Sequence, residues 1–399
     1  MENFEQTAKA YALKNAISHE GNANQGAVIA GLFNIGLTKE DIPKYAKEIS
    51  KIVQEINKLN PQQQEKEFEK LQEYIGERKV REGLPELPNA EKGVVMRFAP
   101  SPSGPMHIGH ALTSSLSYLY VQKYGGKFYF RIEDTNPENI DPQAYKMLKE
   151  EANWLFKNNV EFIIQSERMQ LYYDYILKLI KKEHAYVCTC TGDEFREYAE
   201  KKKDCPCRKH IQKENETKWN QMLNGEIKEG DAVVRFKSSM KDPNPAMRDF
   251  PLARINETPH PLQKNKYRVW PLMNLAVTID DIELKMTHII RAKEHRDNAK
   301  RQEMIYIALG LKNKIPWVGF LGKYKFTDLE ISCSKTKAKI KAGEYTGWDD
   351  PRLPFLASLK KKYKPEAFWR FAENRGLSEA DRVIDKKEFF RLLDNFNKE

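Results

Sequence analysis

Two histidines that follow a loop rich in proline and glycine are the residues of this 399-residue chain best suited to phosphate chemistry. His107 and His110 lie in the run Pro105-Met-His-Ile-Gly-His-Ala111. Imidazole nitrogens can donate hydrogen bonds to phosphoryl oxygens without adding a fixed charge. A helix that begins at this run would add free backbone N–H groups and a partial positive charge. The run therefore predicts a phosphate site.

A second phosphate-binding run is predicted far downstream, at Ile331-Ser-Cys-Ser-Lys-Thr336. When ATP activates a carboxylic acid, the α-phosphorus becomes pentacoordinate and gains negative charge, so the protein must position the attack and neutralise that charge. The two histidines suit one side of this centre, and Lys335, with Ser334 beside it, suits the pyrophosphate side. Gly109 has no side chain and would let adenine approach the backbone. Either run alone is commonly incidental, but their occurrence together favours an adenylate-forming site.

Alternating strands and helices are predicted to position these residues. The elements are a strand at 94–99, a tight loop at 100–105, a helix at 111–124 and a strand at 127–132. Asp141 and Ser166 are predicted to cap the next two helices. This alternation is typical of an α/β fold with a parallel sheet and crossover helices. Ligands of such sheets bind beyond the carboxyl ends of the strands, where the histidines would meet Glu133 and Asp134.

The chain divides into five predicted regions. The first is helical, with apolar residues recurring every three or four positions from Ile49 to Leu59 and a stop at Asn60-Pro61. The regions are an N-terminal helical extension at 1–90, the first half of a parallel-sheet catalytic domain at 91–187, an insertion at 188–268, the second half of the catalytic domain at 269–340, and a basic helical region at 341–399.

Composition indicates a cytoplasmic enzyme with no membrane contact. The formal net charge of +10 suits a polyanionic partner such as nucleic acid, although solubility alone would also account for it. No apolar run reaches the roughly 18 residues of a membrane-spanning helix, and the chain begins without the pattern of a secretory signal.

Four of the five cysteines form two close pairs, Cys188-Thr-Cys190 and Cys205-Pro-Cys207. Four thiolates in two pairs suit a structural, tetrahedral Zn²⁺ site with no open position. The single residue between the members of each pair is a tighter spacing than usual. Free thiols, or a site that has lost its metal, therefore stay open as alternatives.

Aromatic and basic side chains of the insertion are candidates for contact with single-stranded RNA. Rings can stack on bases, and basic groups can contact phosphates. The candidates are Trp219, Arg235, Phe236, Lys237 and Arg248.

Five runs of the sequence resemble motifs of class I aminoacyl-tRNA synthetases in their glutamyl/glutaminyl branch, and together they resemble the archaeal type of glutamyl-tRNA synthetase. The runs are Arg97–His110, Phe130–Thr135, Val269–Asn274, Thr287–His295 and Gly343–Arg352. Leu13–Gly21 is similar to the helical extension of that type. The resemblance implies a Rossmann-like catalytic domain, an inserted α+β domain that binds the tRNA acceptor end, and a C-terminal helical stem-contact region.

The resemblance also implies roles for individual residues. Arg97 and Ser101 would contact the amino acid, and Glu133 would hold its ammonium group. The ATP-binding set would be His107, Gly109, His110, Ser334 and Lys335, among which His107, His110 and Lys335 would be catalytic. The second motif commonly reads Lys-Met-Ser-Lys-Ser, and here Ile331 replaces its first lysine.

Arg291 bears on which amino acid is used. The resemblance places it where glutamyl enzymes have an arginine that faces the side-chain carboxylate of the substrate. A planar guanidinium pairs bidentately with a carboxylate, whereas a buried arginine facing an amide would be costly. An arginine at a strand end can also be only a salt-bridge partner. Met273 and Val277 stand where bacterial relatives have polar residues, so the resemblance does not define the other residues of the pocket.

The activity that the resemblance implies is that of a glutamate–tRNA ligase using ATP with Mg²⁺. Glutamate would attack the α-phosphorus to give glutamyl-adenylate, and a ribose hydroxyl of the terminal adenosine of tRNA(Glu) would then accept the glutamyl group. Some members carry zinc in the acceptor-binding insertion. Three alternatives stay open: a catalytically idle tRNA-binding subunit, a shortened paralogue that glutamylates a modified tRNA base, and a small-molecule nucleotidyltransferase.

Relatives of this type continue into β-barrels that read the anticodon. The sequence here ends at Glu399, where such barrels would begin. Two expectations follow: either the chain has been shortened, or the barrels belong to a separate anticodon-binding polypeptide that forms a hetero-oligomer with it.

Overall fold

The computed structural model describes residues 3–33, 36–38, 40–75, 83–329 and 331–398, and the chain forms two compact units, Met1–Glu82 and Gly83–Glu399. The helices are α1 (Phe4–Ile17), α2 (Gln25–Leu32), α3 (Ile42–Ile56), α4 (Pro61–Leu71), α5 (Ile108–Tyr124), α6 (Ala144–Leu155), α7 (Met169–Lys181), α8 (Gly192–Glu200), α9 (Gln212–Asn224), α10 (Met273–Glu283), α11 (Arg296–Ala308), α12 (Cys333–Lys341), α13 (Leu356–Leu359), α14 (Pro365–Arg375) and α15 (Lys386–Lys398). The strands are β1 (Val94–Phe98), β2 (Gly126–Ile132), β3 (Glu161–Ile164), β4 (Ala185–Cys188), β5 (Val233–Phe236), β6 (Pro251–Ile255), β7 (Val269–Pro271), β8 (His288–Ala292), β9 (Trp317–Leu321), β10 (Tyr324–Phe326) and β11 (Arg382–Ile384).

The first unit consists of helices α1 to α4 around a small apolar core. The predicted helix with an apolar face is present as α3, which buries Ile49, Ile52 and Ile56. It ends at Ile56 rather than Leu59. Asn60 and Pro61 begin α4, because the Asn60 side chain accepts a hydrogen bond from the Gln63 backbone N–H at 2.9 Å. The Gln63 side chain in turn accepts one from the Asn60 backbone N–H at 3.0 Å.

The second unit is built on parallel strands, which confirms the predicted α/β class. Strands β1, β2 and β3 form one parallel sheet, and β8 and β9 form another. The two sheets join, since the Thr287 N–H donates to the Val95 carbonyl at 3.0 Å and sets β8 beside β1. The strand order is therefore β3–β2–β1–β8–β9. Later strands are added on one side of β1 as β2 and β3 and on the other side as β8 and β9, so the order of connection reverses between β1 and β8. Ligands of doubly wound sheets bind at such a point.

The predicted strand–loop–helix–strand sequence from residue 94 to residue 132 is confirmed by β1, α5 and β2. Gly126 begins β2 with a φ of +130°, and a Cβ there would lie 1.9 Å from the Val94 carbonyl oxygen. Only glycine can therefore bring the chain this close to β1 after α5.

The helix start predicted at Ser166 is wrong, and the one predicted at Asp141 is displaced. Asp141 accepts from the Gln143 N–H at 3.0 Å in the turn that leads into α6. Helix α6 begins at Ala144, where Gln143 precedes it without a side-chain cap, and α7 begins at Met169 after a short 3₁₀ turn. Ser166 bonds elsewhere, because its hydroxyl and its N–H donate to Asp134 at 2.7 and 2.8 Å. That long-range partner could not be read from local sequence.

The segment between α7 and α10 contains an antiparallel sheet of β4, β5, β6 and β7 with α8 and α9. Trp219 is 2% exposed, and Phe236 and Arg248 are also buried. The expectation that these three side chains contact RNA is therefore wrong, since they belong to the interior of this segment. Arg235 lies over the Phe195 ring, with its guanidinium carbon 3.4 Å from the ring centroid.

The C-terminal part of the second unit is mainly helical, with one short parallel pair formed by β10 and β11. Phe368 and Phe371 of α14 and Phe389 of α15 are buried in the same core as α5 and β1. Across the described ranges, no helix combines the length and apolar character needed to cross a membrane.

Candidate active site

The loop between β1 and α5 presents His107 as the N-cap of α5. The Nδ1 atom of His107 accepts hydrogen bonds from the N–H groups of Gly109 at 3.0 Å and His110 at 3.3 Å. Because Nδ1 is the acceptor, the neutral ring carries its proton on Nε2 and can donate it to a ligand. A Cβ at Gly109 would lie 2.9 Å from His107 Cε1. Glycine is therefore required here by the cap itself, a reason that the sequence did not reveal.

The two histidines stack, with ring centroids 3.6 Å apart. Burial lowers the pKa of His107 to about 4, and burial together with His107 lowers the pKa of His110 well below its usual range. Both rings are therefore neutral near pH 7, and each neutral ring has one N–H group that can donate a hydrogen bond. His110 Nδ1 is buried without a hydrogen-bond partner among the described residues.

The loop that carries His107 is held from two sides. The Met106 N–H donates to the buried carboxyl of Glu151 in α6 at 2.7 Å, and burial raises the pKa of Glu151 to about 8. Backbone bonds join Leu356 N to Met106 O at 2.7 Å and Ile108 N to Pro354 O at 3.1 Å. The segment before α13 thus pairs with the chain on both sides of His107.

The second predicted phosphate run lies at the beginning of α12. Ser332 caps this helix by accepting from the Lys335 N–H at 3.5 Å, and its hydroxyl lies 3.1 Å from that of Ser334. Cys333 Sγ lies 3.9 Å from the Pro105 carbonyl oxygen. The structure therefore brings the loop before α5 and the beginning of α12 together, with Ser334 and Lys335 exposed. The N-termini of α5 and α12 therefore lie near each other, and helix N-termini favour phosphate groups.

Arg97, predicted to contact the amino acid, is already paired. Its Nε and Nη2 atoms donate to the two carboxylate oxygens of Asp281, each at 3.0 Å. Arg131 Nη1 also donates to Asp281, at 2.6 Å, and Arg131 Nη2 donates to Glu133 at 3.0 Å. Ser101, the other predicted contact, is exposed on the loop after β1.

Asp281 was not predicted, although a signal for it exists. The run Ile279-Asp-Asp-Ile282 places two carboxylates between apolar residues of α10, and buried charged residues need partners. Burial alone would raise the pKa of Asp281, but Arg97 and Arg131 lower it to about 2. The Asp281 carboxylate is therefore ionised and fixes both guanidinium groups.

Arg291 at the end of β8 is buried with an incompletely bonded guanidinium. It is 9% exposed, and its Nη1 donates to the side-chain oxygen of Gln302 at 2.8 Å. Its Nε has no hydrogen-bond partner in the described part of the chain. Burial, and then the charge of Arg97, lower its pKa to about 10. A ligand carboxylate would satisfy this group. β8 lies beside β1, the strand that carries Arg97.

The four predicted metal-ligating cysteines converge. The Sγ atoms of Cys188, Cys190, Cys205 and Cys207 all lie within 4.8 Å of one another, and none is in a disulfide. Cys188 and Cys205 are 3.9 Å apart, and Cys190 and Cys207 are 3.7 Å apart. Zinc–sulfur bonds of about 2.3 Å at tetrahedral angles require sulfur atoms about 3.8 Å apart. The cluster therefore fits a tetrahedral metal ion.

Comparison with known proteins agrees with this geometry. Residues 93–395 match the family model described as tRNA synthetases class I (E and Q), catalytic domain. The chain is 43% identical to a glutamate–tRNA ligase of Methanocaldococcus jannaschii over 93% of its own length and 66% of that protein. It is 41% identical to the Thermococcus kodakarensis glutamate–tRNA ligase over 96% of its length and 69% of that protein. The chain thus spans about two thirds of the length of these relatives.

A solved structure shares the fold. It is a glutamate tRNA ligase from Elizabethkingia meningosepticum in complex with its amino acid, with a TM-score of 0.54 at 21% identity. The match covers 76% of this chain and 69% of that one. At this identity the likeness concerns architecture alone.

Proposed function

The chain belongs to the class I tRNA synthetases of the glutamate and glutamine type, and on that premise we propose that it activates glutamate with ATP and transfers it to the 3′ end of tRNA(Glu). The observation that carries the choice of glutamate is the buried guanidinium of Arg291, whose Nε has no hydrogen-bond partner among the residues that the structure describes. Glutamine would leave this charge facing a neutral amide, whereas the glutamate carboxylate can pair with it.

The proposed glutamate site lies at the ends of β1, β2 and β8. Arg97 is fixed by Asp281 through Nε and Nη2, which leaves Nη1 for the substrate, together with the hydroxyl of Ser101. Glu133 accepts one hydrogen bond from Arg131 and keeps acceptor capacity for the substrate ammonium group. These roles orient the α-carboxylate of glutamate toward ATP.

The proposed ATP site lies between the beginnings of α5 and α12. His107 and His110, both neutral, would donate to the phosphates, and Gly109 would adjoin the nucleotide. Ser334 and Lys335 would stabilise the leaving pyrophosphate. Mg²⁺ bound to the phosphates would supply further positive charge to the reaction. Attack by the glutamate carboxylate on the α-phosphorus then gives glutamyl-adenylate and pyrophosphate.

The tRNA is proposed to accept the glutamyl group through a ribose hydroxyl of its terminal adenosine. We propose that the segment at 188–268 holds the acceptor end and that the region from 341 onward contacts the stem. The four-cysteine cluster would hold a structural Zn²⁺ that fixes the segment between β4 and α9. A polypeptide that reads the anticodon, joined to this chain or separate from it, completes the proposal.

Charging assays test this function. The purified chain is given ATP and Mg²⁺ with labelled glutamate or glutamine, with and without tRNA(Glu), and attached amino acid and pyrophosphate exchange are measured. Glutamate-dependent exchange and esterification of the 3′ end support the proposal. A catalytically idle tRNA-binding subunit would bind tRNA without exchange, and glutamate attached to an internal base would indicate the paralogue instead.

The anticodon-reading partner needs a separate test. The chain is mixed with a fragment that carries the β-barrels of an archaeal relative, and the mixture is run on size exclusion. Co-elution supports a separate partner, and independent elution counts against it.

A further inference from the structure

We propose that Gln302 positions Arg291 for the side-chain carboxylate of glutamate, as a neutral acceptor that holds the guanidinium without compensating its charge. This inference rests on the proposed function and adds a specificity-determining residue to it. Gln302 lies on α11, and neither the sequence motifs nor the comparisons assign it a role.

The first argument concerns which charged groups around Arg291 are already paired with one another. Asp281 accepts from both Arg97 and Arg131, and Glu133 accepts from Arg131. Asp280, the next carboxylate, accepts from Arg168 at 2.8 Å and from Tyr172. Within the described ranges, the guanidinium of Arg291 bonds to no carboxylate at all. The positive charge of Arg291 is therefore available to a ligand.

The second argument concerns the orientation of the Gln302 amide. Gln302 is buried, and its Nε2 donates to the side-chain oxygen of Asn274 at 3.4 Å. Asn274 Nδ2 in turn donates to Asn298 at 3.3 Å, and Asn298 also accepts from Arg301 at 3.1 Å. This chain of amides fixes the direction of each donor. The Oε1 atom of Gln302 must point to Arg291, because the reversed amide would set N–H donors against the guanidinium.

The third argument concerns the chemistry of residue 302. A glutamate residue at position 302 would have nearly the same shape as glutamine and would form a buried ion pair with Arg291. The carboxylate of the substrate would then meet a neutral ion pair and a second negative charge. Methionine would fill the space but leave Nη1 without an acceptor. Glutamine alone among these combines the hydrogen bond with zero charge.

The test compares Gln302→Glu and Gln302→Met with the wild-type chain and with Gln62→Glu, a matched change at an exposed position of α4. Pyrophosphate exchange in the presence of tRNA gives KM and kcat for glutamate, glutamine and ATP. For Gln302→Glu we expect a rise of about 50-fold or more in KM for glutamate, since a buried charge contact is lost. We expect a KM for ATP within twofold of wild type and a preference for glutamate over glutamine that falls at least tenfold.

For Gln302→Met we expect a smaller rise in KM for glutamate, about tenfold, because the charge of Arg291 remains while its position loosens. A KM for glutamate in Gln302→Glu equal to that of Gln62→Glu would overturn the inference. Equal rises in the KM for glutamate and the KM for ATP would also overturn the inference, since they would indicate a general packing defect. In both cases the wild-type chain would still charge tRNA. Absence of glutamate-dependent exchange in the wild type would instead overturn the proposed function, and the inference with it.

Discussion

Arg131 Nη1 lies 2.6 Å from Asp281 Oδ1, and both side chains are buried. The same carboxylate holds Arg97 through two further hydrogen bonds. One acidic side chain from α10 thus fixes two basic side chains from neighbouring parallel strands. The positions of Arg97 and Arg131 in the proposed glutamate site therefore depend on this carboxylate.

Asp281→Asn should destabilise the second unit strongly. The change leaves two buried guanidinium groups undercompensated, and removal of one partner of a buried ion pair typically costs about 3–5 kcal/mol. Urea unfolding of the variant measures the loss. Asp193→Asn is the control, because its bond to Arg196 is exposed and should change the free energy of unfolding by less than about 1 kcal/mol. Equal effects of the two changes would contradict the role of Asp281.

The stability of the protein should also fall in acid because of Asp281. Its pKa is lowered to about 2 in the folded chain, against 3.8 for an ordinary aspartate. A lowered folded-state pKa adds stability that is present above about pH 4 and is lost as the pH falls toward 2. The contribution is about 2 kcal/mol. Unfolding of the wild type between pH 5 and pH 2 should show this loss, and Asp281→Asn should show less of it.

Lys335→Met should lower kcat for pyrophosphate exchange by about 10²–10³-fold, the usual effect of removing one donor to a transition state. The KM for glutamate should change little, since Lys335 lies on α12 and the proposed glutamate site lies at the strand ends. Lys339→Met on the same helix is the control. A loss of equal size in both variants would point to the charge of the helix as a whole.

The pH dependence of exchange should lack a step near pH 6.5 from the two motif histidines. Burial lowers the pKa of His107 to about 4 and that of His110 well below its usual range, so both stay neutral as the pH falls through 6. Exchange measured from pH 5.5 to pH 8 in wild type and His107→Asn should give profiles of the same shape, at a lower rate for the variant. An acidic limb near pH 6.5 that disappears in His107→Asn would contradict this assignment.

The purified chain should contain one zinc ion. Cys207→Ser should remove it and lower the Tm, because a structural site contributes its binding energy to folding. Elemental analysis and thermal unfolding measure both effects. Cys333→Ser is the matched control, since Cys333 lies on α12 beside Pro105 and outside the cluster. Zinc content unchanged by Cys207→Ser would contradict the site.

How much of this arrangement the sequence predicts depends on how far apart the partners lie. Local apolar patterns and turn residues predict β1, the loop before α5, and β2. The two closely spaced cysteine pairs predict the four-cysteine cluster. The contact of Asp281 with Arg97 joins residues 184 positions apart. The two adjacent carboxylates of α10 indicate that partners are needed, but no local pattern identifies Arg97 as one of them. The prediction that Trp219 contacts RNA is wrong for a different reason. An aromatic ring near lysines is compatible with RNA stacking and with a protein interior, and only the fold shows that Trp219 is buried.

The pairing of Pro354 and Leu356 with the chain around His107 has a practical consequence for dissecting this protein. A fragment that ended before residue 353 would expose the Ile108 N–H and the Met106 carbonyl beside His107. The two predicted phosphate-binding runs, at His107 and at Lys335, would still be intact in it. Deletion series designed from motif boundaries alone would therefore misjudge the smallest active piece. To keep both hydrogen bonds, a fragment must include Leu356, which follows the last of the recognisable runs, Gly343–Arg352.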